Sequence, residues 1–239
     1  MREGIMGAEV LFAETNGREH VRSREGSVAH EGGWNPEDFA REQIRGLVRQ
    51  VFFSNVGRPV RQVVFSALEP ETDVRTICRQ VGEALALETE GTIAVVGEYP
   101  RLVSDEETYP VKVTERQAQN AGTPLRHTAT RVGANLWLAP AVGKNVDWVA
   151  TAALHSYLAD VRMQFGYSIV EAPPAGESNL ATAMAQFADG IILVLSAQRT
   201  RRIMARKIKG MLEAAQVRIL GTVLSDRVFP IPDGIYRRL

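Results

Sequence analysis

The feature that most limits what this chain can become is residues 62–81, QVVFSALEPETDVRTICRQV. There an apolar strand at Val63, Val64 and Phe65 runs through a turn-prone loop into a helix starting near Asp73. Strand, short loop and helix in that order make the frame in which N–H groups at a helix N-terminus hold a phosphate. Such a loop needs glycines, so that backbone can close on the anion, and a lysine that reaches the terminal phosphates. Residues 66–74 contain neither, and Asp73 stands where the lysine would be.

The remaining chain alternates strands and helices around that frame. Asn35, Pro36, Glu37 and Asp38 combine a cap, a proline at the first helical position and two acids in the first turn, which starts a helix. Ile44, Leu47, Val48, Val51 and Phe52 follow at helical spacing and give it one packing stripe. Short apolar strands are predicted at 92–96, 136–140, 168–170, 190–195 and 218–224, and helices at about 146–164, 180–188 and 200–215. Residues 104–131 are polar, with one candidate strand at 111–113. This alternation predicts an α/β fold: a doubly wound, mostly parallel sheet flanked by helices, in one domain over 35–239. Residues 1–34, rich in Gly, Glu, Arg and Ser, read as a disordered leader with at most a docking turn at 10–12.

Charge narrows the functional classes. The 28 basic residues balance the 28 acidic ones, so there is no global bias toward nucleic acid, and a charged surface has to be local. Arg199, Arg201, Arg202, Arg206, Lys207 and Lys209 form the strongest such run, read as the solvated face of a helix whose other side carries Met204, Ile208, Met211, Leu212 and Ala215. Cys78 is the single cysteine, which excludes an internal disulfide and a cysteine zinc site. His20, His30, His127 and His155 show no ligand spacing, and no metal site is expected. Gly143-Lys144 lacks the rest of a phosphate-loop motif and reads as an ordinary loop. No apolar run is long enough to span a bilayer and the N-terminus has no signal-peptide core, so a cytoplasmic protein is expected.

Three stretches carry a family resemblance: residues 167–174, YSIVEAPP; 188–194, ADGIILV; and 219–224, ILGTVL. Together they resemble the bacterial tyrosine kinases of capsule and exopolysaccharide synthesis, within the larger MinD/ParA-type group of P-loop ATPases. The closing 229–232, FPIP, and 235–239, IYRRL, are similar to C-termini of exopolysaccharide-operon members. The resemblance covers roughly 36–239 and implies a P-loop NTPase-like fold, ATP and Mg²⁺ as cofactors, and kinase activity.

The family's catalytic boxes are the parts that differ. Its first box reads S-A-x-P-G-E-G-K-[ST]-T; Ser66, Ala67 and Glu71 match, while the glycines fall on Pro70 and Thr72, the lysine on Asp73 and the magnesium-binding hydroxyl on Val74. Aspartate for lysine sets like charges against each other, a cost on the order of 1–4 kcal/mol. The acid-x-acid pair of the second box falls on Gly97 and Tyr99, with Arg101 matching an arginine that often follows. Glu171 replaces the aspartate of the third box and reads either as a general base or as a structural carboxylate at a strand end. Of the E-x-x-R-x-x-R pattern used in ring-like self-association, Glu42 and Arg45 fit, but the third place falls on Val48 with Arg49 one step, about 100° of helix, away. The family's tyrosine-rich tail is missing, since Tyr236 is the only tyrosine after Tyr167.

The expectation is therefore a catalytically silent relative with no cofactor. It would bind a membrane polysaccharide co-polymerase, an active kinase or another assembly component, with homo-oligomers open and nucleic acid disfavoured. Two alternatives stand beside it. One is an ATP-binding enzyme using Glu171 with Arg75 or Arg101 as cation; the other is a ParA/MinD-like positioning protein using the 199–209 helix on DNA or membrane.

Overall fold

The computed structural model describes residues 9–11, 36–54, 58–97, 129–141 and 151–226. Tyr99, Arg101, Gly143, Lys144, His20, His30, His127, the candidate strand at 111–113 and the 229–239 segment lie outside the described residues.

Strands β1 (Glu9–Leu11), β2 (Gln62–Ala67), β3 (Ile93–Gly97), β4 (Thr130–Arg131), β5 (Leu136–Pro140), β6 (Tyr167–Glu171), β7 (Gly190–Ser196) and β8 (Ile219–Ser225) form one sheet. Their order is β1-β8-β7-β2-β6-β3-β5-β4, and every pair is parallel except β4 against β5. Helices α1 (Pro36–Phe52) and α2 (Val74–Glu88) cover one face, while α3 (Thr151–Gln164), α4 (Leu180–Phe187) and α5 (Arg202–Ala214) cover the other. Central strands are buried on both faces, which is why β2 reads as an almost unbroken apolar run. Val63, Phe65 and Ala67 pack under α1 and α2, and Val64 packs under the opposite layer. Val63, Val64 and Phe65 each contribute roughly 1.5–3 kcal/mol of burial.

The doubly wound sheet is as the sequence predicts, with one difference at each edge. Glu9–Leu11 form a strand paired in parallel with β8, where at most a docking turn is expected in a leader. Backbone bonds to an open sheet edge do not need the apolar periodicity that sequence reading relies on. At the other edge, β4 is a two-residue antiparallel addition held by the bonds of Arg131 and Thr130 to β5.

Chain direction explains where a cleft can open. From β2 the chain crosses by α2 to β3 and continues to β5; it returns to β6, beside β2, and then crosses by α4 to β7 on the other side of β2. Winding reverses at β2, and in open α/β sheets the crevice lies at the carboxyl ends of strands at such a point. The opposite end is tied down. Asp189, just before β7, accepts the N–H groups of Arg61 and Gln62 at 2.8 and 2.9 Å and the Arg162 guanidinium at 3.0 Å.

Candidate functional site

Beyond the carboxyl ends of β2, β3 and β6 lies a cleft of about 560 Å³. The structure brings together there Ala67, Pro70, Glu71, Thr72, Asp73 and Val74 from the loop, Gly97 from the end of β3 and Glu171 from the end of β6. Ser66 lies beneath this lining, buried, with its hydroxyl donating to the Pro173 carbonyl at 2.7 Å. Register accounts for the meeting: Phe65 pairs with Glu171, so the loop that leaves β2 and the Glu171 side chain reach the same edge.

The loop is closed on itself. Asp73 is the N-cap of α2: its carboxylate accepts the Thr76 N–H at 3.0 Å and the Thr76 hydroxyl at 2.6 Å. A side-chain oxygen on an orphan N–H of the first turn is the usual N-cap bond, and a carboxylate there also offsets the positive end of the helix dipole. The position that an anionic ligand would take at this helix end thus has a protein anion beside it. Thr72 and Val74 are buried, and the Val74 N–H donates to the Thr72 carbonyl at 3.0 Å. Further back, the Leu68 N–H bonds Val194 at 3.3 Å and Glu69 accepts the Thr200 hydroxyl at 2.8 Å.

Glu171 faces Arg75, from the first turn of α2, at 3.5 Å. That ion pair partly neutralises the carboxylate that stands at the family's third box. Cys78, one turn further along α2, is fully buried under it; burial pushes its thiol up, and the Glu171 and Asp73 carboxylates push the same way. Such a thiol is a packing group rather than a nucleophile. Among the described residues, no group of three His, Cys, Asp or Glu side chains is disposed to hold a metal ion.

Glu42 and Arg45 do not line the cleft. They lie on α1, where they form an i,i+3 pair at 3.9 Å. Val48 is fully buried, and Arg49 is committed to Glu88 of α2 at 2.9 Å. The third place of the self-association pattern is therefore used inside the domain.

Sequence reading missed two tethers, Glu69 to Thr200 and the Asp189 cluster. In the first the partners are separated by 131 residues, and nothing local marks the pair. For Asp189, an acid directly ahead of a fully apolar strand was the available signal.

No protein-family model matches the chain, and no curated protein sequence matches it. Solved structures do. Strand order, the crevice at the winding reversal and the strand-loop-helix frame beside it define a P-loop NTPase-like α/β protein. Within that class the fold is that of bacterial tyrosine kinase domains and MinD/ParA ATPases. The kinase domain of Escherichia coli tyrosine kinase ETK superposes with a TM-score of 0.65 at 16% identity, covering 88% of this chain and 86% of that one. The chimerical protein CapA2B2 gives 0.64 at 17% identity, over 80% and 86%. MinD in the MinC:MinD cell division complex of Aquifex aeolicus gives 0.53 at 16%, over 71% and 69%. At these identities the likeness is one of fold, and activity has to be argued from the site.

Proposed function

We propose that this protein is a catalytically silent relative of the exopolysaccharide tyrosine kinases and acts by binding a partner in polysaccharide synthesis or export. The observation that carries the reading is the Asp73 cap on α2. A triphosphate would need glycine backbone around it and a lysine on its terminal oxygens. Here it would meet Pro70, the Thr72 side chain and the Asp73 carboxylate. A magnesium ion would need the hydroxyl that Val74 lacks, and would compete with Arg75 for Glu171. These residues do not fit ATP and Mg²⁺, so no phosphoryl-transfer step is derived for them.

Partner binding is then the remaining use of an intact fold. A membrane polysaccharide co-polymerase, or a kinase that works with one, is the partner class that the family resemblance favours. This would hold a cytoplasmic protein at the membrane through that partner. Calorimetric titration of the purified chain with ATP and Mg²⁺ tests the silent reading; micromolar affinity accompanied by hydrolysis or autophosphorylation overturns it.

One observation favours an enzymatic reading instead. Arg75 lines the cleft beside Glu171, and a cation at that place could meet a phosphate. On that reading Glu171→Gln or Arg101→Ala abolishes a measurable ATPase or kinase activity.

A further inference from the structure

The outer face of α5 is more than a solvated basic surface. Met204 and Met211, expected on the packed side, are 39% and 40% exposed, and the helix is held to the sheet by Ile208 and Leu212 alone among its fully buried residues. Ile203 is 81% exposed. At about 100° per residue it points almost directly away from Ile208 and Leu212, with Arg206 and Lys207 one turn ahead on either side of it. Arg199, Arg201 and Arg202 crowd the same end, all exposed. From Ala197 to Leu212 the chain holds no acid. The acids that approach are Glu213, paired with Lys209 at 3.6 Å, Glu69, bonded to Thr200, and Asp226, whose carbonyl takes Gln198.

This arrangement is unfavourable for a helix facing only water. Arg201 occupies the N-cap without making a side-chain cap bond, and the first turn has no acid. Cations therefore sit at the positive end of the helix dipole, where anions belong. A surface of negative charge would relieve that repulsion. Ile203 says which kind of surface. Ringed by long cationic side chains that can reach headgroups while their stems stay apolar, an exposed isoleucine gains by entering a lipid interface. Against a nucleic-acid backbone it would gain little.

We infer that the α5 face, Arg199 to Lys207 with Ile203 at its centre, docks directly on an anionic membrane surface. This is independent of whether the cleft holds nucleotide, and it differs from attachment through a protein partner.

Co-sedimentation of the full chain with phosphatidylcholine vesicles, with and without about 30% phosphatidylglycerol, at low salt and at about 500 mM salt, tests it. Binding is expected only to the anionic vesicles, and is expected to be lost at high salt. Replacing Arg202, Arg206 and Lys207 together by Ala should lower the partition coefficient by about 100-fold, at roughly five-fold per cation. Ile203→Ser, which leaves charge unchanged, should lower it by about five- to ten-fold. Arg79→Ala, on the other helix layer, serves as a charge control and should leave it unchanged. All these side chains are exposed, so unchanged urea midpoints verify folding. Absence of binding to anionic vesicles at low salt overturns the inference, as does binding insensitive to Ile203→Ser. Duplex DNA displacing the vesicles while Ile203→Ser has no effect would mark a nucleic-acid surface and overturn it as well.

Discussion

Removing the Asp73 carboxylate tests whether the loop has become structure in its own right. In Asp73→Ala the Thr76 N–H and hydroxyl lose their acceptor, bonds of 3.0 and 2.6 Å. An N-cap of this kind contributes about 1 kcal/mol, within a range of about 0.5–2. Asp73→Lys loses the cap and also brings a cation to the positive end of α2, adding about 0.3–1 kcal/mol. Asn keeps an acceptor oxygen and should cost only a few tenths. The expected order of stability is therefore wild type, Asn, Ala, Lys, with the last about 0.8–3 kcal/mol below the first. Urea unfolding followed by circular dichroism reads this as a shift in midpoint at unchanged slope. In thermal unfolding each kcal/mol corresponds to about 2–4 °C for a domain of this size. If Asp73→Lys is as stable as wild type, the carboxylate is not what satisfies this helix end. The loop would then be a ligand site that happens to lack its lysine, and the silent reading would lose its main support.

Asp189 should govern acid stability. Burial favours its protonated form, but the Arg162 hydrogen bond and the Arg61 and Gln62 N–H groups together outweigh that and hold the carboxyl below its usual range. Its contribution is then fully present above the unfolded pKa of about 3.9 and is lost as pH falls through the folded value. Asp189→Asn should cost about 2–4 kcal/mol at neutral pH, and the gap from wild type in urea midpoint should narrow below about pH 4; a gap constant down to pH 2 would contradict the assignment. Cys78, fully buried with a raised pKa, should react with a maleimide about 100-fold more slowly in the native state than in urea. Equal rates would mean that α2 opens locally. A Cβ at Gly176 would collide with the Leu68 carbonyl, so Gly176→Ala should cost about 1–3 kcal/mol although the residue itself is exposed. A neutral result in denaturant titration would show that the 172–176 segment is not pressed on the loop.

Wherever burial dictated residue type, the sequence was a good guide. Val63, Val64 and Phe65, the Ile191, Ile192, Leu193, Val194 run and the Ile44, Leu47, Val48, Val51, Phe52 stripe are all buried as their spacing requires. Strands covered on both faces and helices covered on one leave a periodicity that can be read directly. Two apolar assignments were too generous. Met204 and Met211 fit the helical stripe of α5 yet remain well exposed, because only a narrow seam around Ile208 and Leu212 meets the sheet. On α3, Leu154, Leu158 and Val161 are buried, whereas Ala153 beside them is exposed.

The candidate site was legible as a set of absences and much less so as a construction. Missing glycines and lysine are visible in a string of letters, but what replaces their contacts is not. Asp73 looks in the sequence like an inverted lysine, a charge in the wrong place; in the fold it is a helix cap, a role that aspartate fills in any protein. Glu171 looks like a remnant of a metal site, and in the fold it answers the charge of Arg75. The tethers that hold this loop, Glu69 to Thr200 and Leu68 to Val194, join segments more than a hundred residues apart. They depend on β7 lying beside β2, which only the crossover order provides. The loop is bound at both ends and capped at its helix, with the buried Thr72 hydroxyl left without a hydrogen-bond partner; that internal bonding, more than any single missing residue, is the physical argument behind the proposal that this protein works by binding a partner.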